Sequence, residues 1–144
     1  PDIAQTVAVT CAALNVEAKF TGLKTLRIKE TDRIFALQQE LTKLGFSITV
    51  DGDDLIINPS LRAVNLSGVE GEAKQSSSSR HSGESRNLTS WSNISIDTYD
   101  DHRMAMAFAS LALLAPITIN EEDVVVKSYP DFWKDLKGIG IEFD

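Results

Sequence analysis

The chain contains the charged stretch RIKETDR (residues 27–33), which leads directly into a helical pattern. Apolar residues recur there at a spacing of roughly 3.6 residues, and a glycine follows the last of them: Ile34, Leu37, Leu41, Leu44 and Gly45. This pattern predicts a helix over residues 31–44. Because five of the seven residues in the stretch are charged, charged groups of both signs are concentrated where this helix begins.

The start of this predicted helix is a candidate anion site. The first backbone N–H groups of a helix have no partner within the helix, and its dipole places partial positive charge there. Lys29 and Arg33 add cationic donors, and Glu30 adds a carboxyl group that such cations would keep ionised or ready to exchange a proton. The same charges could instead form a solvated surface with i,i+3 and i,i+4 ion pairs. This stretch alone leaves both interpretations open.

Composition limits the classes of protein. With 144 residues and 42% hydrophobic content, the chain can form one domain or part of a larger one. A net charge of −7 argues against nucleic-acid binding, because that function needs a basic surface. The single cysteine, Cys11, excludes a disulfide framework, and we predict that it is packed in the core. Without a leader pattern or a long apolar run, we expect a soluble cytoplasmic protein with no membrane partner.

Three further helices are predicted. Residues 3–14 and 103–115 are apolar or small on nearly every side, which indicates helices buried on most sides. Asp2 is positioned to act as the N-cap of the first. A last helix is expected to open at Lys127-Ser-Tyr-Pro130, since proline is favoured in a first turn.

The remaining ordered segments are predicted to be short strands. A hairpin is expected where residues 46–50 and 55–58 flank an Asp-Gly turn. The other predicted strands are 17–21, 23–28, 94–96, 117–119, 124–126 and 139–143. Residues 70–93 are polar, serine-rich and aperiodic, so we expect a flexible insertion there rather than a site.

Polar residues precede all four predicted helices. They are Asp2, Lys29 to Arg33, Asp101 to Arg103, and Lys127-Ser128. If the helices are parallel neighbours, these starts meet at one edge of the domain and form a site for a small, multiply anionic molecule. The carboxylates of Asp2 and Glu30 would be available there for proton transfer.

Three motifs resemble, in order, the C-terminal signature stretches of the 5-enolpyruvylshikimate-3-phosphate synthases: RIKETDR (27–33), DHRMAM (101–106) and KSYPDF (127–132). Pro1-Asp2, followed by a small-residue helix, resembles the catalytic aspartate segment of that family. The resemblance covers nearly the whole chain apart from the serine-rich segment. The UDP-N-acetylglucosamine enolpyruvyl transferases share the fold and the chemistry, but the first two motifs look like the shikimate branch.

The resemblance implies a step of the shikimate pathway towards aromatic amino acids. The enolpyruvyl group of phosphoenolpyruvate would move to the 5-hydroxyl of shikimate 3-phosphate, with release of phosphate and without a metal or organic cofactor. Asp2 would take the hydroxyl proton, Lys29 would bind the phosphorylated shikimate, and Glu30 would protonate the methylene carbon of phosphoenolpyruvate. The residues expected to hold the carboxylate and phosphate of phosphoenolpyruvate are Arg33, His102, Arg103 and Lys127.

The resemblance also implies an α/β fold. In that family βαβαββ units form an inside-out barrel, in which solvent-facing sheets enclose the helices. Residues 1–144 would be the C-terminal part of such an enzyme, inactive without its N-terminal portion. Thr25 stands where the family often has asparagine, which leaves one shikimate contact unassigned. The alternative is a non-catalytic module that binds a phosphorylated metabolite or a protein partner.

Overall fold

The computed structural model describes residues 2–58 and 94–142, which adopt an α/β fold. Three helices form its centre: α1 (Ala4–Ala13), α2 (Arg33–Lys43) and α3 (His102–Ala109). α1 contacts both α2 and α3, and a 3₁₀ turn, Ser110–Leu113, continues α3. A shorter helix, α4 (Phe132–Gly138), follows towards the C-terminus. The flexible insertion predicted at 70–93 lies outside the described residues.

The predicted hairpin is confirmed and forms most of one antiparallel sheet. β2 (Ser47–Asp51) and β3 (Asp54–Asn58) pair in register from the turn outwards, and β1 (Ala18–Phe20) adds to the other edge of β3. Gly52 in the turn has a φ of 57°, which glycine adopts without steric cost. A separate parallel pair joins β4 (Ser95–Ile96) to β5 (Thr118–Ile119), close to two of the predicted strands.

The hairpin sheet covers the helices with one face only. Leu55 and Ile57 of β3 are buried, while the residues alternating with them are half-buried. Ile48 and Val50 of β2 pack against the same core, and their neighbours along the strand are exposed. Since successive strand residues point to opposite faces, the other face of this sheet is directed towards solvent.

The predicted amphipathic helix is confirmed as α2. Its apolar residues Ile34, Leu37 and Leu41 are fully buried. Asp32 caps its start, where the side chain accepts hydrogen bonds from the Ile34 and Phe35 backbone amides at 3.1 and 3.0 Å. Gly45 lies just beyond its end with a φ of 86°, the left-handed conformation that commonly terminates helices.

The prediction for the first helix was partly wrong. Ile3, not Asp2, is the residue at the N-cap of α1, and no side chain caps it. Ala8, Val9 and Ala12 are buried against the core, but Ile3, Val7 and Leu14 are exposed along the opposite side. Cys11 is half-buried against the core. Burial on most sides holds for α3, where Met104, Ala105, Ala107 and Phe108 are all buried, but not for the 3₁₀ turn that follows it, where Leu113 is exposed.

Two predicted strands are instead 3₁₀ turns. Residues 23–28 fall largely in the turn Lys24–Ile28, because the buried residues Leu23 and Leu26 are three apart, as they are along a 3₁₀ helix. Residues 124–126 lie in the turn Glu122–Lys127, where Val124 and Val125 are buried consecutively rather than alternately. The closing strand is wrong for residues 139–142, and residue 143 lies outside the described part.

Candidate active site

The starts of α1, α2 and α3 lie together, as the sequence predicts. Arg103, near the start of α3, donates from Nη1 to the Asp2 backbone oxygen at 2.7 Å. The Lys29 ammonium is 4.0 Å from the Asp2 carboxylate. Arg33 opens α2 and contacts Asp101, which precedes α3. Residues from three separate parts of the chain therefore form one polar cluster.

Arg33 is the buried centre of this cluster. Its Nε donates to Asp101 Oδ2 at 2.5 Å, and its Nη2 donates to Asp101 Oδ1 at 3.2 Å and to Glu30 Oε2 at 2.6 Å. The side chains of Arg33 and Asp101 are 1% and 0% exposed. Asp101 Oδ1 also accepts the Arg103 backbone N–H at 2.9 Å, so one carboxylate both holds Arg33 and caps α3.

One donor of Arg33 has no partner. Among residues 2–58 and 94–142, the buried side-chain polar atoms without a hydrogen bond are Arg33 Nη1 and both amide atoms of Gln5. An unsatisfied buried donor costs about 1–3 kcal/mol, and more when it is charged. A guanidinium held on one side by carboxylates and left with a spare N–H is chemically suited to bind an anionic group.

The two predicted catalytic carboxylates are accessible. The side chains of Asp2 and Glu30 are both partly exposed, and each lies beside a cation, Lys29 and Arg33 respectively. A ligand can therefore reach both carboxylates while their charge is balanced by a neighbour. This arrangement can accept a proton at one position and deliver one at the other.

Lys127 is not at the start of a helix, which corrects the prediction. It ends the 3₁₀ turn Glu122–Lys127, and its ammonium contacts Asp100 Oδ1 at 2.7 Å. Since Asp100 directly precedes Asp101, Lys127 is nevertheless connected to the cluster. His102 begins α3 and is half-buried.

Arg27 belongs to the charged stretch but contacts the hairpin. Its Nε donates to Asp53 at 2.8 Å, its Nη1 donates to Asp32 at 2.9 Å, and its Nη2 donates to the Gly52 carbonyl. These hydrogen bonds, first to Asp53 and then to Asp32, raise the pKa of Arg27 above its ordinary value. The two interpretations of the stretch therefore each apply to part of it: Arg27 and Asp32 form surface ion pairs, while Arg33 and Glu30 belong to the cluster.

Sequence patterns did not identify Asp101 as the partner of Arg33, because the two lie 68 positions apart.

No group of three or more His, Cys, Asp and Glu side chains in the described part of the chain is arranged to hold a metal ion. None of the helices in that part is long and apolar enough to cross a membrane.

The sequence profile of the EPSP synthases (3-phosphoshikimate 1-carboxyvinyltransferases) matches residues 1–136. The chain belongs to this family. The resemblance of the three motifs is thereby confirmed. Because the family profile spans both RIKETDR and DHRMAM, the cluster around Arg33 is built from segments that lie within the matched region.

Individual EPSP synthases match almost the whole chain. It is 45% identical to the 3-phosphoshikimate 1-carboxyvinyltransferase of Bacteroides fragilis (strain YCH46). The match covers 99% of this chain and 29% of that protein. Identity to the Idiomarina loihiensis enzyme is 35%, over 94% of this chain and 25% of the relative. The Vibrio atlanticus enzyme is 31% identical, over 98% and 27%. The chain thus spans between a quarter and a third of the length of these relatives.

Proposed function

We propose that this chain is the C-terminal part of a 3-phosphoshikimate 1-carboxyvinyltransferase. In the complete enzyme it would contribute to the transfer of the enolpyruvyl group of phosphoenolpyruvate to shikimate 3-phosphate. The observation that carries this proposal is the cluster at three helix starts. In it Arg33, which keeps one donor unpartnered, pairs with the accessible carboxylate of Glu30, and Lys29 lies beside the accessible carboxylate of Asp2. Phosphoenolpyruvate has a carboxylate and a phosphate, which suit the guanidinium and ammonium groups of this cluster.

Each carboxylate has a distinct role in the proposed reaction. Asp2 takes the proton of the shikimate 5-hydroxyl, and Lys29, 4.0 Å away, balances its charge and binds the phosphorylated ring. Glu30 gives a proton to the methylene carbon of phosphoenolpyruvate. That proton transfer leaves positive charge on the adjacent carbon, where the hydroxyl oxygen forms its new bond. Loss of phosphate together with a proton from the new methyl group then restores the double bond.

The contact between Glu30 and Arg33 suggests how the proton donor is prepared. Without substrate, Glu30 accepts a hydrogen bond from Arg33 Nη2 at 2.6 Å and forms an ion pair with it. When the carboxylate or phosphate of phosphoenolpyruvate binds this guanidinium, it competes for the same donors. Glu30 is then released from its ion pair and can carry the proton. We assign the remaining contacts to phosphoenolpyruvate to His102, Arg103 and Lys127.

The same proposal includes the architecture of the complete domain. The hairpin sheet, with one face on the helices and the other towards solvent, supports an inside-out barrel of βαβαββ units. The exposed apolar residues Ile3, Val7 and Leu14, in α1 and at its two ends, would then be covered by the part of the enzyme that this chain does not contain. We accordingly expect the isolated chain to be inactive.

The test is phosphate release from phosphoenolpyruvate and shikimate 3-phosphate. The chain is mixed with the separately produced remainder of a family enzyme, such as the Bacteroides fragilis relative, and association is checked first. We expect release only when both parts are present. Glu30→Gln should lower turnover by about a hundredfold or more, because the amide cannot deliver the proton.

The matched control is Glu17→Gln, the same chemical change at an exposed position before β1. It should leave turnover at the level of the unmodified mixture. Unchanged turnover in Glu30→Gln would remove Glu30 from the mechanism. No release from a mixture that does associate would favour the non-catalytic binding module.

A further inference from the structure

A second buried charge lies on α2, about two turns beyond Arg33. The side chain of Glu40 is 0% exposed. Its Oε1 accepts the Tyr99 hydroxyl at 2.7 Å, and its Oε2 accepts the Lys43 ammonium at 2.8 Å and the Asp97 backbone N–H at 3.3 Å. A carboxylate is tolerated in the interior only when it is well supplied with donors, and these donors come from both α2 and the segment before α3.

The segment that contacts Glu40 is fixed at several points. Lys43 also contacts Asp97 Oδ2 at 2.7 Å, and Asp97 Oδ1 accepts the Asn120 side-chain amide at 2.7 Å. Those two hydrogen bonds, with Lys43 the stronger influence, lower the pKa of Asp97. Thr98 is buried and donates to Glu121 at 3.2 Å. Residues 97–99 are therefore held against α2 and against the turn that follows β5.

The two residues before Asp101 adopt an unfavourable backbone conformation. Tyr99 and Asp100 have φ values of 56° and 54°, in the left-handed region that non-glycine residues rarely occupy. Such a conformation persists only where the surrounding contacts impose it. Its consequence here is the position of Asp101, whose carboxylate reaches Arg33 and caps α3.

We infer that Glu40 and Tyr99 are positioning residues for the proposed site. Their hydrogen bond holds the left-handed turn against α2, and the turn places Asp101 on Arg33. Neither residue contacts the groups proposed to meet substrate, so both act through Asp101. This inference rests on the proposed function for its catalytic consequence, but the placement of Arg33 can be measured without turnover.

The two tyrosines of the chain provide a matched test. Tyr99 donates to Glu40, and Tyr129 donates to Asp135 at 2.6 Å at an exposed position. Each substitution, Tyr99→Phe or Tyr129→Phe, removes one hydroxyl that donates to one carboxylate. Only Tyr99→Phe removes a contact of the turn that precedes Asp101, the partner of Arg33.

In the active mixture, we expect Tyr99→Phe to raise the KM for phosphoenolpyruvate by about two- to tenfold, the range that corresponds to one hydrogen bond. The KM for shikimate 3-phosphate should change much less, because the Asp2 carboxylate lies beside Lys29 and Asp2 contacts α3 through its backbone oxygen rather than its carboxylate. Tyr129→Phe should change neither KM. A purely structural defect would reduce the active fraction and leave both KM values as they are, so that result, or an equal rise in both, would overturn the inference.

A second measurement uses the isolated chain. The Arg33 Nε–H group, buried against Asp101, is observed by nitrogen-edited NMR, and its exchange with solvent is measured. We expect exchange to be several-fold faster in Tyr99→Phe and unchanged in Tyr129→Phe. Unchanged exchange in Tyr99→Phe overturns the inference whether or not the mixture is active. Absence of turnover in the unmodified mixture counts only against the proposed function.

Discussion

The two buried charges of α2 are satisfied to different degrees. Glu40 has donors for both oxygens, supplied by Lys43, Tyr99 and the Asp97 backbone. Arg33 has Asp101 and Glu30 as partners, yet its Nη1 has none. The same helix thus contains one buried charged group whose oxygens both have donors among the described residues, and one that keeps a donor without an acceptor. An external anion has a clear chemical reason to bind beside Arg33, and none to bind beside Glu40.

Removing the main partner of Arg33 should have the largest effect. Asp101→Ala leaves a guanidinium buried without its principal counter-charge and also removes the cap of α3. Breaking a buried ion pair from one side typically costs about 3–5 kcal/mol, so we expect a loss of that order in the free energy of unfolding. Urea denaturation of the isolated chain measures it.

Asp54→Ala is the control for this change. It removes an aspartate whose partner, Lys19, lies 3.1 Å away and is largely exposed. The loss there should be below about 1 kcal/mol, because exposed ion pairs contribute little. Similar losses in the two variants would mean that the burial of the Arg33 pair does not matter, and the contrast within α2 would lose its basis.

The elements predicted correctly are those specified by local periodicity. The apolar spacing in α2 and the alternation on either side of the Asp-Gly turn depend on neighbouring residues only. Alternation over residues 23–28 predicts a strand. The structure instead buries Leu23 and Leu26, three apart, and exposes Ile28, a burial pattern that the sequence does not show in advance. For α1, the composition indicates burial on most sides. The sequence of a helix does not specify, however, how many other elements of the fold pack against it.

The candidate site was predictable in its residue types and not in its pairings. The motifs pointed to Lys29, Glu30, Arg33 and the residues at the start of α3, and the structure brings these together. The contact of Arg33 with Asp101 spans 68 positions and that of Glu40 with Tyr99 spans 59, so no local pattern contains either. Glu40 in particular follows the sequence pattern of an ordinary polar helix position, although it is buried.

Alkaline titration should distinguish the two tyrosines. Burial, and then the hydrogen bond to Glu40, raise the pKa of Tyr99 to about 12. The hydrogen bond to Asp135 raises the pKa of the exposed Tyr129. A tyrosine in the unfolded chain ionises near pH 10. The neutral Tyr99 phenol therefore makes its full contribution to the free energy of unfolding below about pH 10, and that contribution is lost as the pH rises towards 12.

The measurement is the change in phenol absorbance with pH, combined with denaturation at each pH. We expect Tyr99→Phe to remove the transition near the higher pH and to reduce the loss of stability between about pH 10 and 12. Tyr129→Phe should leave that transition in place. If both phenols ionise at the ordinary pH of tyrosine, the Glu40 contact is weaker than the structure indicates.

The smallest expected effect concerns Lys127, the most exposed of the proposed binding residues that form ion pairs. Its partner is Asp100, and their side chains are 63% and 79% exposed. An anion that binds Lys127 shares the ammonium with that carboxylate and is repelled by its charge, whereas Arg33 Nη1 has no acceptor among the described residues. Asp100→Asn should therefore improve phosphoenolpyruvate binding by about twofold and leave stability unchanged, in keeping with the small energy of exposed ion pairs. The KM of the active mixture measures this change.

Asp123→Asn removes the same charge at an exposed position in the turn that ends at Lys127. This variant distinguishes competition between Asp100 and phosphoenolpyruvate for the Lys127 ammonium from a general change in electrostatic potential. If both variants improve binding equally, the effect arises from net charge and should disappear at high salt. If Asp100→Asn weakens binding instead, then Asp100 holds Lys127 in its binding position, and the turn before α3 positions two cations of the proposed site rather than one.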